Sequence, residues 1–290
     1  MIKIETSTQR EGLEYLYNLA RSEQVKWSET DLNERIQCIE RFSKLLIENK
    51  RDLANELTQE VGKPITQSIG EIEGASKKCE FFINHSQELL QRQKVNQDGL
   101  TEEIIDYDSL GVIGHISAWN YPYLIGVNIF VPALIAGNAV LYKASEHCPK
   151  VGGSIASLLW QAGVPKNVFQ NLKTSPEIGK ALLELPLNGY FFTGSKDTGI
   201  EIAKALAHKL VPMILELGGK DPLYITNEIS NMDNAVDQAI DGVFYNNGQS
   251  CCSVERIYVH EDVYENFLSS FVKKVSNLKI GDPKETETYI

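Results

Sequence analysis

An α/β fold built around an open parallel sheet is predicted by three features of the sequence. Short apolar runs alternate with helix-length segments between about residues 111 and 217, an order that places helices on both faces of parallel strands. Glycine and proline punctuate the junctions, as at Gly62-Lys63-Pro64 and at Gly163 and Pro165. The chain has 290 residues, 42% hydrophobic and 23% charged, enough for one large or two ordinary globular domains with a sizeable core.

The elements follow in order. Residues 1–20 mix charged and apolar side chains without a continuous apolar core, so no secretory leader is expected there. From Trp27 to about Leu90 the period is helical: Leu32, Ile36, Ile39 and Phe42, then Leu46, Leu53 and Leu57, recur at spacings of roughly three, four and seven. Ser28 and Asp31 suit a helix start, and Gly62-Lys63-Pro64 a stop. After a polar segment from Gln91 to Gly99, strands are expected over Thr101–Tyr107 and Gly111–Ser117. The most apolar stretch, Tyr121–Gly137, is short for a membrane span and interrupted by Pro122, Asn128 and Pro132, so it reads as a buried helix. Strands at Ala139–Tyr142, Val168–Leu172, Gly189–Phe192 and Met213–Leu217 then alternate with helices at Gly152–Gln161 and Lys196–His208. Asp262–Leu278 is an amphipathic helix, after which Lys279–Pro283 turns away and no closing element is expected before Ile290. There is no internal repeat.

Charge and cysteine usage exclude several classes. With 28 Lys and Arg against 39 Asp and Glu the net charge is −11, which disfavours a nucleic-acid backbone or an anionic membrane as partner. Five cysteines, only Cys251 and Cys252 adjacent, form no disulfide framework and fit a reducing, cytoplasmic setting. The scattered histidines and the Cys-Cys spacing argue against a metal site.

Four short segments carry candidate chemistry. In Asn247-Gly248-Gln249-Ser250-Cys251-Cys252, glycine and small polar residues permit a bend that presents a thiol; a buried, inert cysteine is the commoner fate of any one taken alone. In Leu215-Glu216-Leu217-Gly218-Gly219, a carboxylate between apolar residues at a strand end is a candidate general base with a raised pKa, and equally a solvent-facing acid. Phe191-Phe192-Thr193-Gly194-Ser195 leads into a helix N-terminus suited to an anion. Gly194 and Gly199 have the spacing of a phosphate loop, but Ile200-Glu201 excludes the Walker type, and no G-x-G-x-x-G fingerprint is present. Finally, Ser117–Pro122 and Tyr142–Glu146 follow apolar strands, where open sheets place ligands. There Asn120 offers an oxyanion donor, while Lys143 and Glu146 could each bond a ribose.

Together, in this order and spacing, these segments resemble the aldehyde dehydrogenase superfamily. Glu216-Leu217-Gly218-Gly219-Lys220 is similar to that family's glutamate signature, and Gly248-Gln249-Ser250-Cys251 to its cysteine signature, which selects Cys251 over Cys252. The resemblance implies that Cys251 attacks a small-molecule aldehyde and that Asn120 and the Cys251 N–H hold the oxyanion. Hydride passes to NAD and Glu216 activates the hydrolytic water. It further implies that Ile116, Trp119, Lys143, Glu146, Gly194, Ser195 and Leu217 line the cofactor. Glu146 would favour NAD over NADP by repelling a 2′-phosphate.

By the same resemblance, residues 1–215 form the NAD-binding domain, with 91–108 a projecting strand pair for oligomerisation. Residues 216–290 begin a catalytic domain whose remainder lies in the family's C-terminal part, and a homo-oligomer is expected only with that part supplied. Ala144 stands where the family usually has proline, and Asn167–Leu187 lacks its usual glycine-rich segment. The rival expectations are a shortened, inactive chain retaining only nucleotide binding or subunit association, and a member that passes the acyl group to phosphate or coenzyme A.

Overall fold

The computed structural model describes residues 2–290, with side chains from residue 11 onward. Four helices open it: α1 (Ile2–Glu29), α2 (Leu32–Glu48), α3 (Lys50–Val61) and α4 (Ile65–Leu89). Asp31 caps α2, its carboxylate accepting from the Asn33 N–H at 2.8 Å. Gly62 ends α3 in the left-handed region with φ +74°, and Pro64 stands at the entry of α4. Helix α1 extends far upstream of the helical period expected from Trp27. Its buried stripe is thin, with Leu13, Tyr17, Ala20 and Trp27 completed by the polar Gln24. Gln24 is accommodated because its Nε2 donates to the Gly137 carbonyl at 3.0 Å.

An antiparallel hairpin follows, β1 (Gln93–Asp98) and β2 (Thr101–Ile105), with every residue exposed. The polar stretch Gln91–Gly99 is thus largely a strand. Five parallel strands come next: β3 (Val112–Ile116), β4 (Ala139–Lys143), β5 (Phe169–Asn171), β6 (Gly189–Gly194) and β7 (Met213–Leu217). Their order is β5-β4-β3-β6-β7, joined by α5 (Pro122–Ile135), α6 (Pro149–Gln161), α7 (Pro176–Glu184) and α8 (Lys196–Leu206). The chain runs outward from β3 to β5, then returns to β6 on the other side of β3. The carboxyl ends of β3 and β6 therefore flank a topological switch, where such sheets form a cleft.

Central strands β3 and β4 are almost wholly buried. Over them Phe130 of α5 packs edge-on against Phe42, Tyr142 and Phe169, at centroid separations of 6.0, 6.0 and 5.3 Å. Helix α5 is therefore a core element, and among the described residues no helix is long and apolar enough to cross a membrane. Strand β7 departs from its apolar sequence: as the sheet's edge it leaves Met213, Ile214 and Glu216 exposed.

Beyond β7 lie β8 (Asp221–Ile225), α9 (Met232–Phe244), β9 (Val254–Val259) and α10 (Tyr264–Val275), with β8 and β9 parallel. Their core is small: Ile225, Val236, Ala239, Ile240 and Phe267. Among the described residues no helix or strand follows α10, but the last residues bond to the rest of the chain. The Ile65 N–H donates to the Pro283 carbonyl at 2.7 Å, and Gln67 Nε2 to that of Tyr289 at 3.0 Å.

Candidate active site

A cleft of about 1130 Å³ opens at the carboxyl ends of the parallel strands. Ile116 ends β3, with Trp119 and Asn120 just beyond it, and Lys143 ends β4. Gly194 ends β6, Ser195 caps α8, and Glu216 and Leu217 end β7. All of these, together with Glu146 and Cys251, line this one cleft. Helix α8 starts there, so the positive end of its dipole faces the space. Its approach to β7 is close at Gly199, where an added Cβ would meet the Leu217 side chain at 2.6 Å and displace it. Helix α7, in the stretch without the glycine-rich segment, supplies Pro176, Gly179 and Lys180 to the wall.

Lys143 is buried, and its Nζ lies 3.4 Å from the carboxylate of the exposed Glu146. Partial burial pushes the Glu146 carboxyl up, but its own backbone N–H and the Lys143 ammonium outweigh this and hold it below its ordinary value. Glu216 is not enclosed between apolar neighbours as its sequence setting suggests. The edge position of β7 leaves it exposed.

The cysteine loop owes its shape to three successive left-handed residues, Asn246 (φ 54°), Asn247 (φ 57°) and Gly248 (φ 71°). Asparagine and glycine tolerate this region where other residues are strained. Side chains then tie the loop down. Asn120 Nδ2 donates to the Gln249 carbonyl at 2.9 Å, and the Tyr121 hydroxyl lies 2.6 Å from Ser250 Oγ. One amide hydrogen of Asn120 is thereby committed to the loop, and the other remains for the cleft. The Asn246 N–H donates to Gln67 Oε1 at 2.7 Å, and its amide reaches the Asn120 carbonyl at 3.2 Å. Cys251 and Cys252 are both exposed. Partial desolvation, then Cys252 beside it, pushes the Cys251 thiol above its ordinary value, opposed only by backbone N–H groups. The thiol is therefore the resting form at neutral pH.

Sequence reasoning missed Lys63, Gln67, Glu71 and Asn246. Lys63 registered only as part of a helix stop. Yet Lys63 and Glu71 form an ion pair with both side chains fully buried. Burial pushes the Lys63 ammonium down and the Glu71 carboxyl up, each opposed by the other's charge. The one available signal was Gln67 and Glu71, polar residues four apart on one face of a helix that also buries Ile72 and Ala75. Two histidines, His147 and His208, also line the cleft. Among the described residues no group of three or more His, Cys, Asp or Glu could hold a metal ion.

Comparison with known proteins bears on this geometry. The profile described as "Aldehyde dehydrogenase family" matches residues 2–290. A Mycobacterium ulcerans protein named for succinate-semialdehyde dehydrogenation with NADP(+) is 32% identical over 273 residues, 93% of this chain and 52% of its own. The D-glyceraldehyde dehydrogenase (NADP(+)) of Thermoplasma acidophilum is 32% identical over 271 residues, 92% of this chain and 55% of its own. Among solved structures, an E. coli NADP-dependent enzyme matches with a TM-score of 0.93 at 28% identity, covering 97% of this chain and 59% of its own. The chain spans about half the length of the curated relatives it matches. By sequence and by fold, this chain belongs to the aldehyde dehydrogenase family.

Proposed function

We propose that the cleft oxidises an aldehyde to a carboxylic acid with a nicotinamide dinucleotide, through a covalent intermediate on Cys251. The observation that carries the reading is that thiol, amide, carboxylate and Lys143–Glu146 pair line one space, with the thiol's loop hydrogen-bonded to Asn120. The cleft is large enough for a dinucleotide beside a small substrate, since about 300–1,000 Å³ already encloses a drug-sized ligand. In this reading Ile116, Trp119, Lys143, Glu146, Gly194, Ser195 and Leu217 hold the cofactor. Residues 1–215 form the nucleotide-binding part, residues 216–290 begin the catalytic part, and the 91–108 hairpin contacts a second subunit.

Cys251 loses its thiol proton to solvent, and Sγ, as thiolate, forms a bond to the aldehyde carbon. The carbonyl electron pair moves to oxygen, where the Asn120 amide and the Cys251 N–H stabilise it. A bound nicotinamide ring supplies the hydride acceptor, so that the carbon is oxidised by two electrons and left as a thioester. Glu216 then takes a proton from water, hydroxide adds to the thioester carbon, and the C–S bond breaks to release acid and regenerate the thiolate. We favour NAD over NADP because an exposed Glu146 carboxylate accepts ribose hydroxyls and repels a 2′-phosphate. The NADP in the relatives' names points the other way, and competition between NAD and NADP for the chain decides it.

The test is NADH and acid formation from a small aldehyde. Cys251→Ser should abolish both, and Glu216→Gln should slow acid release by about 10²- to 10⁴-fold, leaving one NADH per chain and a thioester detectable by mass. A second reading, binding of nucleotide or a partner subunit without turnover, is favoured by the raised Cys251 thiol and by the exposed Met213 and Ile214. Nucleotide binding with no NADH formed would select it.

A further inference from the structure

Burying an ion pair desolvates two charges, and an apolar pair of the same volume is often as stable. The Lys63–Glu71 pair therefore calls for another explanation, and its remaining partners supply one. Lys63 Nζ also donates to the Asn120 carbonyl at 2.7 Å and stands 3.7 Å from the centroid of the Tyr121 ring. Its three donors thus meet a carboxylate, a carbonyl and an aromatic face. Glu71 uses its other oxygen to accept the backbone N–H groups of Tyr123 and Leu124 at 2.9 and 3.4 Å, at the first turn of α5. Together the pair therefore holds the chain from Asn120 to Leu124.

From Asn120 and Tyr121 two links run to the residues just before Cys251. The Asn120 amide holds the Gln249 carbonyl and the Tyr121 hydroxyl meets Ser250 Oγ. We propose that Lys63, held in place by Glu71, is a positioning residue that sets the Asn120 amide and the Cys251 loop in register for attack on a carbonyl. The proposal rests on the reading of Cys251 as nucleophile and Asn120 as oxyanion donor. Lys63 itself touches neither the thiol nor the reacting carbon.

The experiment compares two reactions of Cys251 in the full chain, without nucleotide. Acylation by p-nitrophenyl acetate builds an oxyanion and is followed by release of p-nitrophenolate. Alkylation by iodoacetamide displaces iodide at a saturated carbon, needs no oxyanion donor, and is followed at Cys251 by peptide mass. In Lys63→Met/Glu71→Gln, which removes both charges together, acylation should fall about 10- to 100-fold, a large part of the effect of losing one oxyanion donor. Alkylation should change little. Lys63→Gln/Glu71→Gln restores a donor for the Asn120 carbonyl and should recover most of the acylation rate. In an Asn120→Ala background the methionine variant should cause a smaller loss than it does alone, because part of its effect runs through the Asn120 amide.

Unchanged acylation, an equal fall in both reactions, or additive losses with Asn120→Ala would each overturn the proposal. If Asn120→Ala alone leaves acylation intact, the oxyanion assignment falls and the positioning role falls with it. Should the methionine variant not fold, Tyr121→Phe carries the test. It keeps the ring beneath Lys63, removes only the Ser250 link, and is expected to lower acylation selectively; no selective loss overturns the proposal. Neither probe uses nucleotide, so failure to form NADH would remove the oxidation reading while leaving this outcome legible.

Discussion

Two regions of the molecule bury their sheets differently. In the five-stranded sheet, β3 and β4 are enclosed on both faces, and Tyr123 and Tyr142 are fully buried within the large core. In the β8–β9 region every strand residue but Ile225 is exposed or only partly buried, and Tyr224 and Tyr258 are exposed by 59% and 52%. The candidate site draws on both. The well-packed region contributes the cleft's floor and Asn120, while the lightly packed one contributes the thiol. Packing alone gives the cysteine loop little support, so its position depends on hydrogen bonds that reach it from Asn120, Tyr121 and Gln67.

The largest test of this contrast is truncation of matched aromatic residues. Phe130→Ala should lower unfolding stability by about 4 kcal/mol in urea titrations, because its site is rigid and cannot collapse. Phe267→Ala should cost about 2 kcal/mol, since its few neighbours can relax into the space. Equal losses would break the comparison.

Next comes acid sensitivity, which the large core should carry through His115. This residue is fully buried, neither ring nitrogen has a partner among the described residues, and burial pushes its pKa down to about 3. A depressed base contributes stability that is fully present above its unfolded value near 6.5 and is lost as pH falls from there toward 3. Across that window the loss should approach about 1.4 kcal/mol per pH unit, and His115→Leu should flatten it in unfolding measurements between pH 6.5 and 4. A variant with the wild-type slope would move the acid-sensitive group elsewhere.

The smallest effect sharpens the comparison most. Asp31 caps α2 in the large region and Asn231 caps α9 in the small one, where its side chain accepts from the Asn234 N–H at 3.0 Å. Each change to alanine should cost about 1 kcal/mol. If the chain unfolds as one unit, thermal melts of both variants shift the same transition. If the small region opens first, only Asn231→Ala lowers the earlier one.

Much of the fold was legible where local rules agreed. The apolar runs at β3 and β4, the apolar α5, and the Gly62-Lys63-Pro64 break each carry their own signal in the sequence. Helices α1, α7 and α9 and strands β8 and β9 were missed, α1 because its buried stripe is one residue wide per turn and includes Gln24. The exposure of Glu216 could not be read, because nothing in Met213–Leu217 says that this strand ends the sheet. The Lys63–Glu71 clamp was illegible for a related reason. Its purpose lies in contacts with Asn120, which is 57 positions away from Lys63, and neither end carries a local pattern that announces the other.

Gln67 joins the terminal segment to the cysteine loop through a single amide, its Nε2 donating to the Tyr289 carbonyl and its Oε1 accepting from the Asn246 N–H. The two ends of that amide have opposite polarity, so the joint works in one orientation only. Glutamate, of nearly the same shape, would bring an acceptor to an acceptor at Tyr289, and methionine would offer neither end a partner of comparable strength. The site thus contains a keyed connector. Residue 289 and the first left-handed residue before Cys251 are thereby bonded to opposite ends of the same planar group.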